Sequence, residues 1–280
     1  MRRSLIIDAS FVLILGFSFS QTRNVYEIYV IEYAKMKSPS SASDIAIGGN
    51  PSDSVTGSFF VWFLNGDNGR KVLVDVGFVQ DSTKPLAYLR DYQRPDFALQ
   101  RINVNPNDIT DIIITHPHFD HIGGLQLFQK ATIWMQKNDF AYFVGDAWQK
   151  GASHVGLDKR DVLETIQANL DGRVQLVNGD SIEIIPGIRV FIGSKHTYES
   201  QHVLVNSRTD KVLIASDDCW YYYNLDHLLS VTLTFDANAY VSQLRRMKTL
   251  VSDTQLIIPG HDRLVLSKFK QVAPGVVRIR

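Results

Sequence analysis

A chain of 280 residues, 45% of them apolar, is long enough for one large domain or two small ones and can bury a sizeable core. Its 29 basic and 29 acidic residues cancel, which argues against a nucleic-acid or anionic-membrane partner, because both call for a basic surface. A single cysteine, Cys219, excludes an intrachain disulfide and a zinc-finger thiolate cluster.

At the N-terminus, Arg2 and Arg3 precede a mostly apolar stretch from Leu5 to Phe19. Ser18-Phe19-Ser20 then puts small residues where a signal peptidase reads. The pattern predicts a secretory signal peptide over residues 1–20 and a mature chain starting at Gln21, hence a secreted or periplasmic protein. Asp8 interrupts the stretch, and an N-terminal strand or a membrane anchor is the competing reading. The stretch is too short and too broken for a membrane span, and no later segment could cross a bilayer.

Alternation over residues 25–33 predicts an opening strand, and residues 38–57, rich in Ser, Asp, Gly and Pro, a long loop of the kind that often carries function. Ser58 to Leu64 and Lys71 to Val76 read as a β-hairpin across Asn65-Gly66-Asp67-Asn68-Gly69. Residues 84–101 look helical, with Pro95 breaking or kinking them. Asn105-Pro106-Asn107-Asp108 marks a turn or a short helix start, and Asp111 to Thr115 a strand. Gly123-Gly124 lead into a short helix, a strand follows over 132–136, and helices over 137–148 and 158–170. Strands are expected at 173–177, 182–185 and 188–193, then a hairpin from Val203 to Ser207 and Lys211 to Ser216. Residues 236–252 form the clearest amphipathic helix, with Tyr240, Leu244, Met247 and Val251 on one face, and Gln255 to Ile258 is the last strand. Strands in both halves with helices between or after them imply sheets packed on each other with helices outside. With no repeat or linker in view, residues 21–280 read as a single domain.

The run His116-Pro117-His118-Phe119-Asp120-His121 follows the apolar strand directly. Three imidazoles and a carboxylate in six residues suit a borderline cation such as zinc. His196, Asp217 and His261 each lie just past another apolar strand, as a site at one rim of a sheet sandwich would require. A lone histidine after a strand is usually an ordinary loop residue, but three such residues beside the 116–121 run point to two metals. His154, His202 and His227 lack this placement, although His202 is close enough in sequence to His196 to line the site.

These motifs resemble the metallo-β-lactamase-fold hydrolases, in the branch of the acyl-homoserine lactonases and glyoxalase II. The resemblance covers roughly residues 55–265: His-x-His-x-Asp-His at 116–121, Ser194-Lys195-His196-Thr197, Ser216-Asp217 and Pro259-Gly260-His261. It implies an α/β fold, the four-layer αβ/βα sandwich with two mixed sheets flanked by helices. It also implies that His116, His118 and His196 hold one divalent metal, that Asp120, His121 and His261 hold a second, and that Asp217 bridges them, with zinc the expected ion. The bridging carboxylate points away from antibiotic hydrolysis, and Cys219, beside it, reads as a buried or outer thiol rather than a ligand. Two departures stand out. The usual His-Thr-Pro-Gly-His reads His196-Thr197-Tyr198-Glu199-Ser200. A tyrosine often found three residues after the bridging aspartate is Trp220 here, so Tyr221 or Tyr222 is expected to take its catalytic role.

Two adjacent dications would lower the pKa of a shared water to about 7, from nearly 16 in bulk, and ready it to attack an ester, lactone or thioester carbonyl. Asp120 is placed to accept or pass on a proton, and a tyrosine hydroxyl to donate to the oxyanion. The expected protein is therefore a dinuclear metal hydrolase of small-molecule esters or lactones, most like an acyl-homoserine lactonase. The alternatives are a glyoxalase-II-like thioesterase or a phosphodiesterase on the same site, and a non-catalytic metal-binding protein. The basic tail Lys268 to Arg280 is too short to form a glutathione-binding helical domain. An oligomer is open, since the loop 38–57 could cap its own site or a neighbour's.

Overall fold

The computed structural model describes residues 24–280. The expected signal peptide and its cleavage point lie outside the described residues. No helix among the described residues is long and apolar enough to cross a membrane.

Among the described residues the strands form a nine-stranded sheet, a five-stranded sheet and a two-stranded ribbon. The large sheet runs Lys270–Ala273, Val276–Arg278, Tyr26–Met36, Ser58–Gly66, Lys71–Val74, Asp111–Ile113, Thr132–Gln136 and Val174–Val177, with Leu89–Arg90 pairing beside Tyr26–Met36. The small sheet runs Ile182–Ile185, Ile188–Ile192, Gln201–Asn206, Lys211–Ser216 and Ile257–Pro259. Both are mixed: Lys71–Val74 pairs parallel with Asp111–Ile113, and Lys211–Ser216 parallel with Ile257–Pro259.

The two-residue side-chain period of a strand explains the layering. On Tyr26–Met36, Tyr26, Ile28 and Val30 face the small sheet, while Tyr29, Ile31 and Tyr33 face helices. On Ser58–Gly66, Phe60, Trp62 and Leu64 take the first side, and Phe59, Val61 and Phe63 the second. Helices Pro95–Leu99, Lys137–Val144 and Lys159–Leu170 cover the outer face of the large sheet through Leu99, Phe143 and Val162. Helix Ala237–Leu250 covers the small sheet through Tyr240, Leu244 and Met247. The result is the four-layer αβ/βα sandwich.

Three segments differ from the sequence reading. Pro95 does not break a helix but starts one, because its missing N–H is harmless in a first turn. The segment 38–57 is not a plain loop: it folds into the ribbon Ser40–Ser41 with Ser54–Val55 around the short helix Ala42–Ile45. The C-terminal tail returns to the start of the chain, where Val276–Arg278 pairs with Tyr26–Met36.

Candidate metal centre

The parallel strands of both sheets end at a common rim, and the expected site residues lie in the segments leaving it. His118 caps the short helix Phe119–Ile122, so Asp120 and His121 sit on its first turn. Asp75, Lys195 and Ser216 adopt left-handed backbone (φ of 56°, 62° and 47°) where the chain leaves strands. Such a conformation costs a non-glycine residue about 1–2 kcal/mol. Strain of this kind gathers where neighbouring structure holds a site in shape.

His116, His118, His196 and Asp217 each bring one ligand atom into a cluster within 4.8 Å, and all four are buried. His118 Nδ1 lies 3.1 Å from His116 Nε2 and 3.0 Å from His196 Nε2. Ligands of a tetrahedral ion bonded at about 2.0–2.1 Å stand roughly 3.3 Å apart, so the spacing fits one small cation. Outer partners fix the rings. His116 Nδ1 lies 3.0 Å from Thr115 Oγ1, and His196 Nδ1 donates to the Leu233 carbonyl at 2.8 Å. Gly156, itself left-handed at φ 78°, lies so close that a Cβ there would come within 2.7 Å of the His118 ring.

Asp120, His121 and His261 form a second cluster beside the first. His121 Nδ1 donates to Asp75 Oδ2 at 2.8 Å, and His261 Nδ1 donates to the Ser58 carbonyl at 3.0 Å. Asp217 stands between the clusters and divides its oxygens. Oδ2 faces His196 Nε2 at 3.1 Å and His116 Nε2 at 3.7 Å, while Oδ1 faces His261 Nε2 at 3.1 Å and His121 Nε2 at 3.3 Å. His121 Nε2 and Asp217 Oδ1 are buried with no hydrogen-bond partner. Orphaned polar atoms of this kind are costly in a protein interior unless something pairs them. A divalent cation on each side of Asp217 fits that need, and the His and carboxylate donors suit it.

The clusters differ electrically. Burial pushes the His118 imidazole down to about 3, and burial with the neighbouring His121 holds His116 well below its ordinary value. Both are therefore neutral and have a lone pair to give. Burial also opposes charge on His121 and His261. There the carboxylates prevail: Asp120, Asp217 and Asp75 raise His121 well above its usual range, and Asp217 and Asp120 raise His261. Burial would raise the Asp217 carboxyl, but His261, His121 and His116 hold it well below the usual carboxylate range.

The structure thus brings together all seven residues expected as ligands: His116, His118, Asp120, His121, His196, Asp217 and His261. It separates the two tyrosines. Tyr221 lines a cavity of about 260 Å³ that also touches His118, Asp120, Asp217 and His261. Tyr222 does not reach it. It is the first residue of helix Tyr222–His227, which turns its ring into a different cavity under the Lys268 ammonium, so of the two tyrosines Tyr221 alone lines the cavity beside the clusters. Trp220 occupies the cavity wall and donates its indole N–H to Asp217 Oδ2 at 2.6 Å. Cys219 is buried outside the clusters, with its thiol on the Tyr221 carbonyl.

His202 does not line the site. It pairs with Asp218, which also accepts from Ser194 and Ser200 and so ties down the segment carrying His196. The important residue absent from the sequence reading is Asp75. Fully buried, it accepts from Thr115 N, Thr115 Oγ1, His121 Nδ1 and Ser216 Oγ. A carboxylate inside the apolar run Val72-Leu73-Val74-Asp75-Val76 was the available signal, because an acidic residue is rarely fully buried without partners.

A family profile described as the metallo-beta-lactamase superfamily matches residues 56–261. An N-acyl homoserine lactonase of Bacillus sp. is 26% identical over 166 residues, 59% of this chain and 60% of that protein. A hydroxyacylglutathione hydrolase of Baumannia cicadellinicola subsp. Homalodisca coagulata is 25% identical over 202 residues, 69% of this chain and 71% of that protein. The chain spans about 60% of the length of the curated lactonases it matches. Among solved structures, a B. thuringiensis AiiA mutant with N-decanoyl-L-homoserine bound at its active site superposes with a TM-score of 0.70 at 20% identity, over 90% of this chain and 99% of that one. AidC, a dizinc quorum-quenching lactonase, superposes with a TM-score of 0.61 at 15% identity, over 92% and 97%. At these identities the structural likeness speaks for the fold.

Proposed function

Since the chain belongs to the metallo-beta-lactamase superfamily, we propose that it is a dinuclear metal-dependent hydrolase of neutral esters or lactones with apolar acyl groups, most like an N-acyl homoserine lactonase. The observation that carries this reading is Asp217, a buried carboxylate with one oxygen on each of two ligand clusters. His116, His118 and His196 would hold one cation, Asp120, His121 and His261 the other, with zinc the favoured ion for such donors. Bound divalent cations would supply Lewis acidity to a carbonyl and make a water acidic enough to attack it near neutral pH.

The chain's own groups do the rest. The cavity beside the clusters presents Met36, Ile45, Phe59, Phe119, Trp220 and Tyr221 to a ligand. Among its described lining residues there is no lysine or arginine. That wall suits an uncharged acyl group. It offers no ammonium or guanidinium side chain to the carboxylates of a glutathione thioester or to a phosphodiester, which ranks those readings lower. Burial pushes the Tyr221 phenol up, so at neutral pH its O–H is retained and can donate to a developing oxyanion. Asp120, facing the cavity and held below its usual range by His121 and His261 against the effect of burial, is ionised and can take up a proton. Export is part of the proposal and rests on Arg2, Arg3 and the apolar stretch after them.

The test is proton release in a pH-stat from a long-chain acyl-homoserine lactone, before and after chelation. Release that chelation abolishes and zinc restores is the expected result. No release from protein holding two metals per chain would overturn the lactonase reading.

A further inference from the structure

A second, smaller cavity of about 140 Å³ touches the same cluster from the other side. Its polar lining is His118 and His196 with Asp139, Ser153, Thr197 and Thr234, and its apolar lining includes Tyr142, Val155, Leu157, Leu233 and Phe235. His118 and Leu233 are shared with the larger cavity of about 260 Å³, so these two side chains are the partition between them. Resting on the hydrolase reading, we infer that the smaller cavity is a second substrate chamber. The substrate is then an ester with two apolar arms: a longer one in the larger cavity and a compact one, of about six heavy atoms, passing His118 into the smaller.

Size fixes the compact arm. An apolar cavity of about 150 Å³ holds one benzene ring, so this one holds a six-carbon ring or a short chain of like bulk. Chemistry fixes its polarity. Among the described residues lining it, the one carboxylate, Asp139, has each oxygen engaged, by Thr197 Oγ1 and by the Glu199 backbone N–H. The mouth is aromatic and partly bare. Tyr142 stacks on Tyr198 at 4.8 Å, and Phe235, 51% exposed, stands edge-on to Tyr142 at 5.8 Å. Exposed rings beside an apolar hollow are poorly used unless something apolar covers them.

The partition is held firmly. Thr232 N donates to the Ile45 carbonyl and Phe235 N to the Lys195 carbonyl, while the Leu233 carbonyl accepts from His196. This backbone is anchored on both sides, so the Leu233 side chain can be changed without releasing it.

The experiment uses the full chain loaded with zinc and three decanoate esters, with methyl, phenyl and 2-naphthyl as the second arm. Val155, 62% exposed at the mouth, is replaced by phenylalanine to fill the chamber, and Leu233→Ala opens the partition. Each ester is compared with itself between variants, so leaving-group acidity cancels. Val155→Phe is expected to lower kcat/KM for the phenyl ester about tenfold relative to the methyl ester, the scale of a steric change in an apolar pocket. Leu233→Ala is expected to raise the naphthyl ester relative to the phenyl ester. Binding of fluorobenzene to the metal-free chain, read by fluorine NMR, should be lost in Val155→Phe. Hydrolysis of all three esters with no size-dependent change in either variant, and fluorobenzene binding unaltered, would overturn the chamber alone. Failure of every ester and lactone with protein holding two metals would overturn the hydrolase reading and the chamber's substrate role together.

Discussion

The two ligand clusters lie side by side on one carboxylate, yet they are built on opposite electrical principles. The cluster of His116, His118 and His196 is three imidazoles, and the outer partners of His116 and His196 are neutral: the Thr115 hydroxyl and the Leu233 carbonyl. Burial therefore dominates, and it keeps His116 and His118 uncharged. The cluster of Asp120, His121 and His261 carries a carboxylate of its own and has Asp75 behind it, and there His121 and His261 are driven the other way. Burial opposes charge on the rings of both clusters, yet the outcomes are opposite, so the carboxylates set the chemistry of the second half. The first half should select a cation by geometry and the second hold one by charge.

The variant expected to do most damage removes the shared element. Asp217→Asn should reduce bound metal from two per chain towards one and cut turnover by more than about 100-fold, the upper end of what losing even an outer-sphere partner costs. Elemental analysis beside the pH-stat assay checks both. Two tightly held metals with full turnover would mean the clusters do not depend on a common bridge.

Next comes the pair that sets the charged outer partner against the neutral one. Asp75→Asn keeps the shape behind His121 but removes its charge, and should weaken metal binding or activity by roughly 10–100-fold. Thr115→Val removes the neutral partner of His116 and one of the four donors to Asp75, and should cost less, about tenfold, because Asp75 keeps its charge and three donors. Competition with a fluorescent chelator ranks the two. Equal effects would erase the distinction between the halves.

The same contrast explains what could be read in advance. The ligands were legible because metal donors must stand at strand exits, and an apolar run followed by His or Asp is visible locally. Strands such as Ser58–Gly66 and Lys211–Ser216 were legible from their apolar runs and the turn residues between neighbours. What escaped depends on partners far along the chain. Asp75 sits inside a run that reads as continuous strand, and only its contacts with Thr115, His121 and Ser216, 40, 46 and 141 residues away, show why a carboxylate is tolerated there. The strand Val276–Arg278 exists because Tyr26–Met36 offers an edge, which no local pattern announces. Tyr221 and Tyr222 look equivalent in sequence. They diverge because Tyr221 caps the helix that Tyr222 begins, with extended backbone (φ −134°, ψ 154°) at the cap.

A smaller effect sharpens the coupling within the centre. Trp220 donates its indole N–H to the Asp217 oxygen that faces the first cluster. Trp220→Phe keeps the ring and removes the donor. A hydrogen bond to a charged group is worth about 1.5–3 kcal/mol, so a loss of about tenfold or somewhat more is expected. It should fall on the metal of the His116, His118 and His196 cluster. An unchanged metal titration would show that the indole contributes packing alone.

The smallest expected effect provides the control, a buried carboxylate with no imidazole opposite it. Asp161, 1% exposed, is pushed up to about 6 by burial, against the pull of Arg160. Asp217 is buried as well and moves the other way, so the imidazoles make the difference. The sign follows from linkage. The folded-state value of Asp161 lies above the ordinary value near 3.9, so the fold favours the protonated acid. That contribution is complete below about pH 4 and is lost as pH rises through 6. Two units correspond to roughly 3 kcal/mol at most. Arg160 Nε and Nη2 each lie 3.1 Å from Asp161 Oδ1, and this half-exposed partner is worth little, so Asp161→Asn should gain about 1–2 kcal/mol at pH 7. Denaturant titrations at pH 4 and pH 7 read the effect: the variant's advantage should be present at pH 7 and vanish at pH 4. An advantage independent of pH would mean that burial does not govern the isolated carboxylate, and the contrast with Asp217 would lose its reference.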